Sequence, residues 1–173
     1  IATVVDKCSG GEEDITIVSG DKDLMQLVNN EWGVLFRSVQ SGQDYTEADV
    51  FNKFGVMPDQ MDQLLALMGD ASDNVPGVPG VGVKTAAVRL TAHGHLVGVV
   101  SAAKEGRLAK VRNHAKSSQW IVENEKLLGK SYQLVQLMTD APVDVDSIFN
   151  FEPPKEATVD EPETIETEGE MEE

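Results

Sequence analysis

The sequence predicts an α/β fold, and three observations carry the prediction. Residues 15–18 of "DITIVSG" are a short, apolar, β-branched run broken by Gly20, which reads as a buried strand. Leu24, Leu27 and Val28 then recur at helical spacing, so the unit is strand, turn, helix, as in an α/β sheet. A second strand-like run, "WGVLFRS", comes next, and the chain beyond it is dominated by helical patterns.

The elements follow in order. "IATVVDKC" reads as the back half of a helix under way, and the chain is expected to be a fragment that lacks its N-terminal part. No charged start or cleavage site marks a secretory leader. After the two strands, "QSGQDY" is a turn of hairpin type. "TEADVFNKFG" has Thr46 as cap, Asp49 three residues on and Gly55 as a stop. "MPDQMDQLLALMG" is a helix with Pro58 near its start and Leu64, Leu67 and Met68 on one face. "KTAAVRLTA" begins a helix behind a glycine-rich turn, and residues 94–129 read as helical and basic. "SYQLVQLMT" alternates like a last strand. From Glu152 onward the chain is Pro, Glu and Thr with little apolar content, so it is expected to be disordered.

Composition narrows the class. The 173 residues suit one domain with a tail, and 40% hydrophobic content supports a real core. No apolar run is long enough to span a membrane. The lone Cys8 forms no internal disulfide and suits a reducing cytoplasm, the expected location. The net charge of −16 is unevenly spread. Residues 1–73 carry net −10, residues 74–130 net +6, residues 131–151 net −3 and residues 152–173 net −9. A basic block between acidic flanks keeps nucleic acid in view despite the average.

The stretch "MGDASDNVPGVPGVGVKTA" concentrates the chemistry. Asp70 and Asp73 follow a helix end. Asp21 and Asp23 lie past the carboxyl end of the first predicted strand, where α/β sheets place ligands. Either pair alone has a plain reading, as a helix cap or as turn residues. Together they form a possible four-carboxylate cluster for hard divalent cations such as Mg²⁺, of the kind used in phosphoryl transfer. Gly80 and Gly82 expose amides just before a helix start, a ready anion site to which Lys84 adds charge. The P-loop pattern fails because Val83 separates Gly82 from Lys84, and the dinucleotide pattern fails because Thr85 replaces its last glycine. A helix–hairpin–helix that grips a DNA backbone fits better. His93, His95 and His114 read as surface residues, and Trp32 and Trp120 as core or half-buried.

"SGDKDLMQLV" followed by "LLALMGDASDNVPGVPGVGVKTA" closely resembles the 5′ nuclease family of 5′-3′ exonucleases and flap endonucleases. The likeness runs from Ile1 to about Asp146. It implies the C-terminal portion of a PIN-like α/β core (residues 1–57). A helix-three-turn-helix DNA-binding region with a closing strand (58–151) and a disordered acidic tail (152–173) would follow. By motif, Asp21, Asp23, Asp70 and Asp73 would be catalytic metal ligands for two or more Mg²⁺ or Mn²⁺ ions. Gly77, Gly80, Gly82, Lys84 and Thr85 would hold the duplex backbone, with a potassium ion at the hairpin. Val83 stands where relatives often carry glutamate. The family's remaining carboxylates and its helical arch would precede Ile1, so the fragment alone is expected to be inactive. The implied protein is a monomeric, metal-dependent 5′-3′ exonuclease and flap endonuclease acting on DNA in replication or repair. The rival is a non-catalytic, sequence-independent DNA-binding module derived from the same fold.

Overall fold

The computed structural model describes residues 1–11, 14–111, 114–145 and 147. It divides into two units, Ile1–Val143 and Asp144–Glu173. In the second unit the described residues form a local turn, with the Ser147 hydroxyl donating to the Asp144 carbonyl at 2.9 Å. Residues 152–173, expected to be disordered, lie outside the described residues.

The first unit opens with helix α1 (Ala2–Cys8) and strand β1 (Ile15–Ser19). β1 pairs in parallel with β2 (Val34–Ser38), and β2 pairs antiparallel with the short β3 (Asp44–Tyr45). The sheet order is β1-β2-β3. β1 is not buried on both faces as its composition suggests. Ile17 faces the core, but Val18 is 59% exposed. Thr16, on the same face as Val18, is exposed as well.

The segment after β1 is a 3₁₀ helix, Lys22–Leu27, and not an α-helix. The geometry leaves it little room. Asp21 caps its start, and Asn29 already pairs with Val34 through hydrogen bonds of 3.0 and 2.8 Å. The tighter winding of a 3₁₀ helix suits so short a return. Helix α2 (Glu47–Phe54) follows β3 with a full capping box between Thr46 and Asp49 and a left-handed Gly55 at its end.

A 3₁₀ turn at Pro58–Gln60 leads into α3 (Met61–Met68). Met61, Leu64, Leu65, Ala66 and Leu67 are all buried, so α3 is apolar on nearly every side and sits at the centre. Around it pack α4 (Val83–His93) and α7 (Glu125–Val135), with α5 (Leu96–Lys104) and α6 (His114–Glu123) extending the helical layer. The basic stretch 94–129 is thus three helical segments with a break after Lys104. The Ala109 amide in that break donates to His93 Nε2 at 3.0 Å, and His114 Nδ1 lies 3.3 Å from the Ala109 carbonyl. Two of the three histidines therefore brace a loop.

The strand expected in "SYQLVQLMT" is absent: α7 runs to Val135, and among the described residues no strand follows it. Leu128, Ser131 and Val135 are buried at helical spacing, whereas Leu134 and Met138 are exposed. Ser131 disguises the stripe because it is polar; its hydroxyl donates to the Pro76 carbonyl at 2.8 Å. The segment beyond α7 is tied to α1 by side chains: Thr3 Oγ1 donates to the Met138 carbonyl at 3.1 Å and Lys7 Nζ to the Val143 carbonyl at 3.0 Å. Among the described residues no helix is long and apolar enough to cross a membrane.

Candidate metal centre and glycine hairpin

The site hangs on the end of the most buried helix. α3 stops at Gly69, whose φ of +78° suits glycine, and Asp70 follows at once. Asp70 and Val75 exchange backbone hydrogen bonds of 3.0 and 2.8 Å, which closes a tight loop over residues 71–74. Asn74 takes a left-handed φ of +55°, tolerable for asparagine. The Ser72 amide and hydroxyl both donate to Asp70 Oδ1. These contacts fix the Asp70 carboxylate and place Asp73 on the exposed side of the same loop.

The second contribution comes from the 3₁₀ helix after β1. Carboxylate oxygens of Asp23, Asp70 and Asp73 all lie within 4.8 Å of one another. Asp21 is not in this group. Its exposed side chain accepts the Asp23 amide at 2.9 Å and caps the 3₁₀ helix, the plainer of its two expected roles. The structure thus gathers three of the four aspartates singled out in the sequence.

Sequence reasoning passed over Lys22. Its ammonium contacts Asp70 Oδ2 and lies 3.6 Å from Asp23 Oδ1. Its place between two motif aspartates was the available signal, but only the fold turns it onto the cluster. Asp70 is 5% exposed and Asp23 9% exposed, so two of the three acids are largely withdrawn from water. Burial pushes the Asp23 carboxyl above the usual carboxylate range; Lys22 opposes this, and the charges of Asp21, Asp70 and Asp73 add to it. The Lys22 contact, and after it the Ser72 hydroxyl, holds Asp70 down at about 2. For Lys22, burial works toward a lower value, but Asp70 and Asp23 together keep the ammonium above the ordinary lysine range. Asp23 Oδ1 is buried without a hydrogen-bond partner among the described residues. An all-oxygen donor set with an orphaned buried oxygen fits a hard divalent cation.

The hairpin begins within the same loop. Gly77 packs its Cα directly on the α3 terminus: a Cβ there would lie 2.3 Å from the Met68 carbonyl atoms and 2.4 Å from the Gly69 nitrogen. The Val78 amide bonds the Leu67 carbonyl at 2.8 Å, and buried Val78 and Val81 anchor the turn. Gly80 turns with φ +74°. Gly82 is the N-cap of α4, makes no side-chain cap bond and has open space where a Cβ would stand. The first amides of α4 therefore face outward with Lys84 exposed and Thr85 half-buried beside them. Gly77 has a packing reason to be glycine, whereas Gly82 leaves room for a ligand.

The basic block is less available than its composition suggests. Arg89 is fully buried and bonds the Ser117 hydroxyl. Lys104 pairs with Glu125 at 2.7 Å and Arg107 pairs with Glu105. Lys84, Lys110, Lys116, Lys126 and Lys130 are exposed and make no ion pair among the described residues.

Comparison with known proteins places these features in context. Residues 56–157 match the family model described as 5′-3′ exonuclease, C-terminal SAM fold. The chain is 40% identical over 146 residues to DNA polymerase I of Rhizobium leguminosarum, covering 84% of this chain and 14% of that protein. It is 33% identical over 135 residues to the 5′-3′ exonuclease of Buchnera aphidicola subsp. Schizaphis graminum, covering 78% of this chain and 46% of that one. Among solved structures it resembles the bacteriophage T5 flap endonuclease in a pseudo-enzyme–product complex with DNA and metal ions. The TM-score is 0.65 at 24% identity, with 78% of this chain and 47% of that one covered. The fold is thus that of the phage nuclease, and the chain spans less than half the length of these relatives.

Proposed function

Since the chain belongs to the 5′-3′ exonuclease family, we propose that it supplies part of a divalent-metal site and the DNA-gripping hairpin of a 5′-3′ exonuclease with flap endonuclease activity. The observation that carries this reading is the convergence of Asp23, Asp70 and Asp73 one short loop away from the uncapped start of α4. Mg²⁺ or Mn²⁺ would be held by these three aspartates, with Asp21 as an outer partner through the Asp23 amide. When bound, the cation supplies Lewis-acid chemistry for phosphodiester hydrolysis, activating water and stabilising the leaving oxygen.

The chain's own residues do the positioning. Outward-facing amides at the start of α4 and the Lys84 ammonium attract one backbone phosphate of a DNA duplex. The Asp70–Val75 pairing and the Val78–Leu67 bond join that grip to the carboxylates through rigid backbone. The distance from held phosphate to metal is thereby built into one loop, and such positioning is a large part of catalysis. The exposed lysines of the helical layer add contacts that carry no sequence preference.

A second reading, a non-catalytic DNA-binding module, is favoured by Lys22, which already neutralises Asp70. The test is single-turnover cleavage of a 5′-flap substrate in Mg²⁺, by this chain and by a version extended to the length of its exonuclease relatives. The extended protein should cut, its Asp73→Asn variant should not, and both should bind the flap equally in Ca²⁺. Near-normal cleavage by Asp73→Asn removes the metal role. Absence of cleavage with intact binding favours the binding module.

A further inference from the structure

We propose that Lys22 is a built-in counter-cation of the carboxylate cluster, which holds the acids together while no metal is bound and sets the affinity of the metal that displaces it. The inference rests on the proposed metal role of Asp23, Asp70 and Asp73.

Three carboxylates within 4.8 Å repel one another unless a cation sits among them. Among the described residues Lys22 is the one basic side chain in ion-pair contact with any of them. The two oxygens of Asp70 are divided: Oδ1 takes the Ser72 amide and hydroxyl, and Oδ2 takes the Lys22 ammonium. Asp23 Oδ1, buried without a hydrogen-bond donor, has the same ammonium at 3.6 Å. Lys22 therefore occupies the oxygens that a divalent cation would need.

The position is also reversible. The Lys22 side chain is 40% exposed, and it projects from the first residue of the 3₁₀ helix. Its ammonium can swing into water without disturbing the apolar residues behind it, Leu24 and Met25. A metal that enters must break the Lys22–Asp70 pair, so the strength of that pair is subtracted from the metal's affinity. Whatever the pair adds to the metal-free protein, its removal must return as tighter metal binding.

The experiment uses the full chain, freed of metal with EDTA and titrated with Mn²⁺ by calorimetry, beside thermal denaturation in EDTA. Lys22→Gln should bind Mn²⁺ about fivefold more tightly, the change expected of a half-exposed pair. In EDTA its Tm should fall by about 3 °C, and saturating Mn²⁺ should restore it to the wild-type value. Lys22→Arg, which keeps the charge, should stay near wild type in both measurements. If the wild-type chain binds no Mn²⁺, the metal reading falls and this inference falls with it. If the wild type binds and Lys22→Gln binds equally or more weakly, the metal reading stands and Lys22 is not a counter-cation of the site.

Discussion

Replacing Gly77 by alanine tests whether the loop that carries the site is as tightly built as its backbone contacts imply. The new Cβ would sit 2.3 Å from the Met68 carbonyl carbon and oxygen and 2.4 Å from the Gly69 nitrogen. Ordinary carbon contacts need about 3.5 Å or more, so the two backbone segments must separate by roughly 1 Å. Both are backbone, and no rotamer change relieves the overlap. The segments are clamped by the Asp70–Val75 pair and by the Val78–Leu67 bond, at 2.8 to 3.0 Å. Overpacking of this kind costs about 1–3 kcal/mol, and each weakened backbone bond adds about 1 kcal/mol. A loss of about 3 kcal/mol is expected, read from the urea midpoint and m-value. Gly82→Ala is the control. Its φ of −110° is open to alanine and nothing lies within 4 Å of the added carbon. Its stability should stay within about 0.5 kcal/mol of wild type, while duplex binding weakens because the Cβ stands where phosphate would approach. A Gly77→Ala protein as stable as wild type, or a Gly82→Ala protein that unfolds more easily than Gly77→Ala, would show that the loop is not clamped against the end of α3.

Further outcomes follow from the same geometry. Lys84→Ala should weaken duplex binding about equally across sequences and reduce the log–log salt slope by roughly 0.9; an unchanged slope in a salt titration assigns Lys84 to the solvated surface. Thr46→Ala should cost about 1 kcal/mol of stability through the lost capping box, measured by urea unfolding. The Thr46 hydroxyl and then its amide hold the Asp49 carboxyl below its ordinary value. Its contribution is therefore present above the unfolded carboxylate pKa of about 3.9 and is lost as pH falls through the lower folded value. An acid titration of stability should show a shallower acid limb for Asp49→Ala; identical limbs would contradict this.

What was legible in the sequence was mostly local. Thr46, Asp49 and Gly55 spell out a helix start and stop within ten residues, and the observed helix obeys them. The turns of "PGVPGVG" and the helix behind them are likewise set by nearby glycines and prolines. The missed features depend on partners far along the chain. Ser131, a polar member of the buried stripe of α7, has its partner, the Pro76 carbonyl, 55 residues away, so "SYQLVQLMT" reads as an alternating strand. Arg89 adds to the charge of the basic block at 74–130, but the packing of α4 against the helical layer buries it against Ser117. Lys22 and Asp70, 48 residues apart, meet because α3 ends beside the 3₁₀ helix. The same holds for Gly77, whose need for a missing Cβ arises from the end of α3 and not from its own turn. Asp21 shows the limit of motif reading: a residue in the right pattern can serve as a cap while its neighbour Asp23 turns inward.

A Mn²⁺ titration of the metal-free chain reads out the proposed cation site of Asp23, Asp70 and Asp73 without any contribution from cleavage. Asp73 is the member to change, because it is exposed and its loss leaves the Asp70–Val75 loop and the Lys22 contact in place. The wild-type chain should bind Mn²⁺ saturably, and Asp73→Asn should bind it at least about tenfold more weakly, at least about 1.4 kcal/mol, with its urea midpoint in EDTA unchanged. Equal Mn²⁺ affinity in the two proteins would mean that Asp73 is not a ligand and that the three aspartates do not form one site.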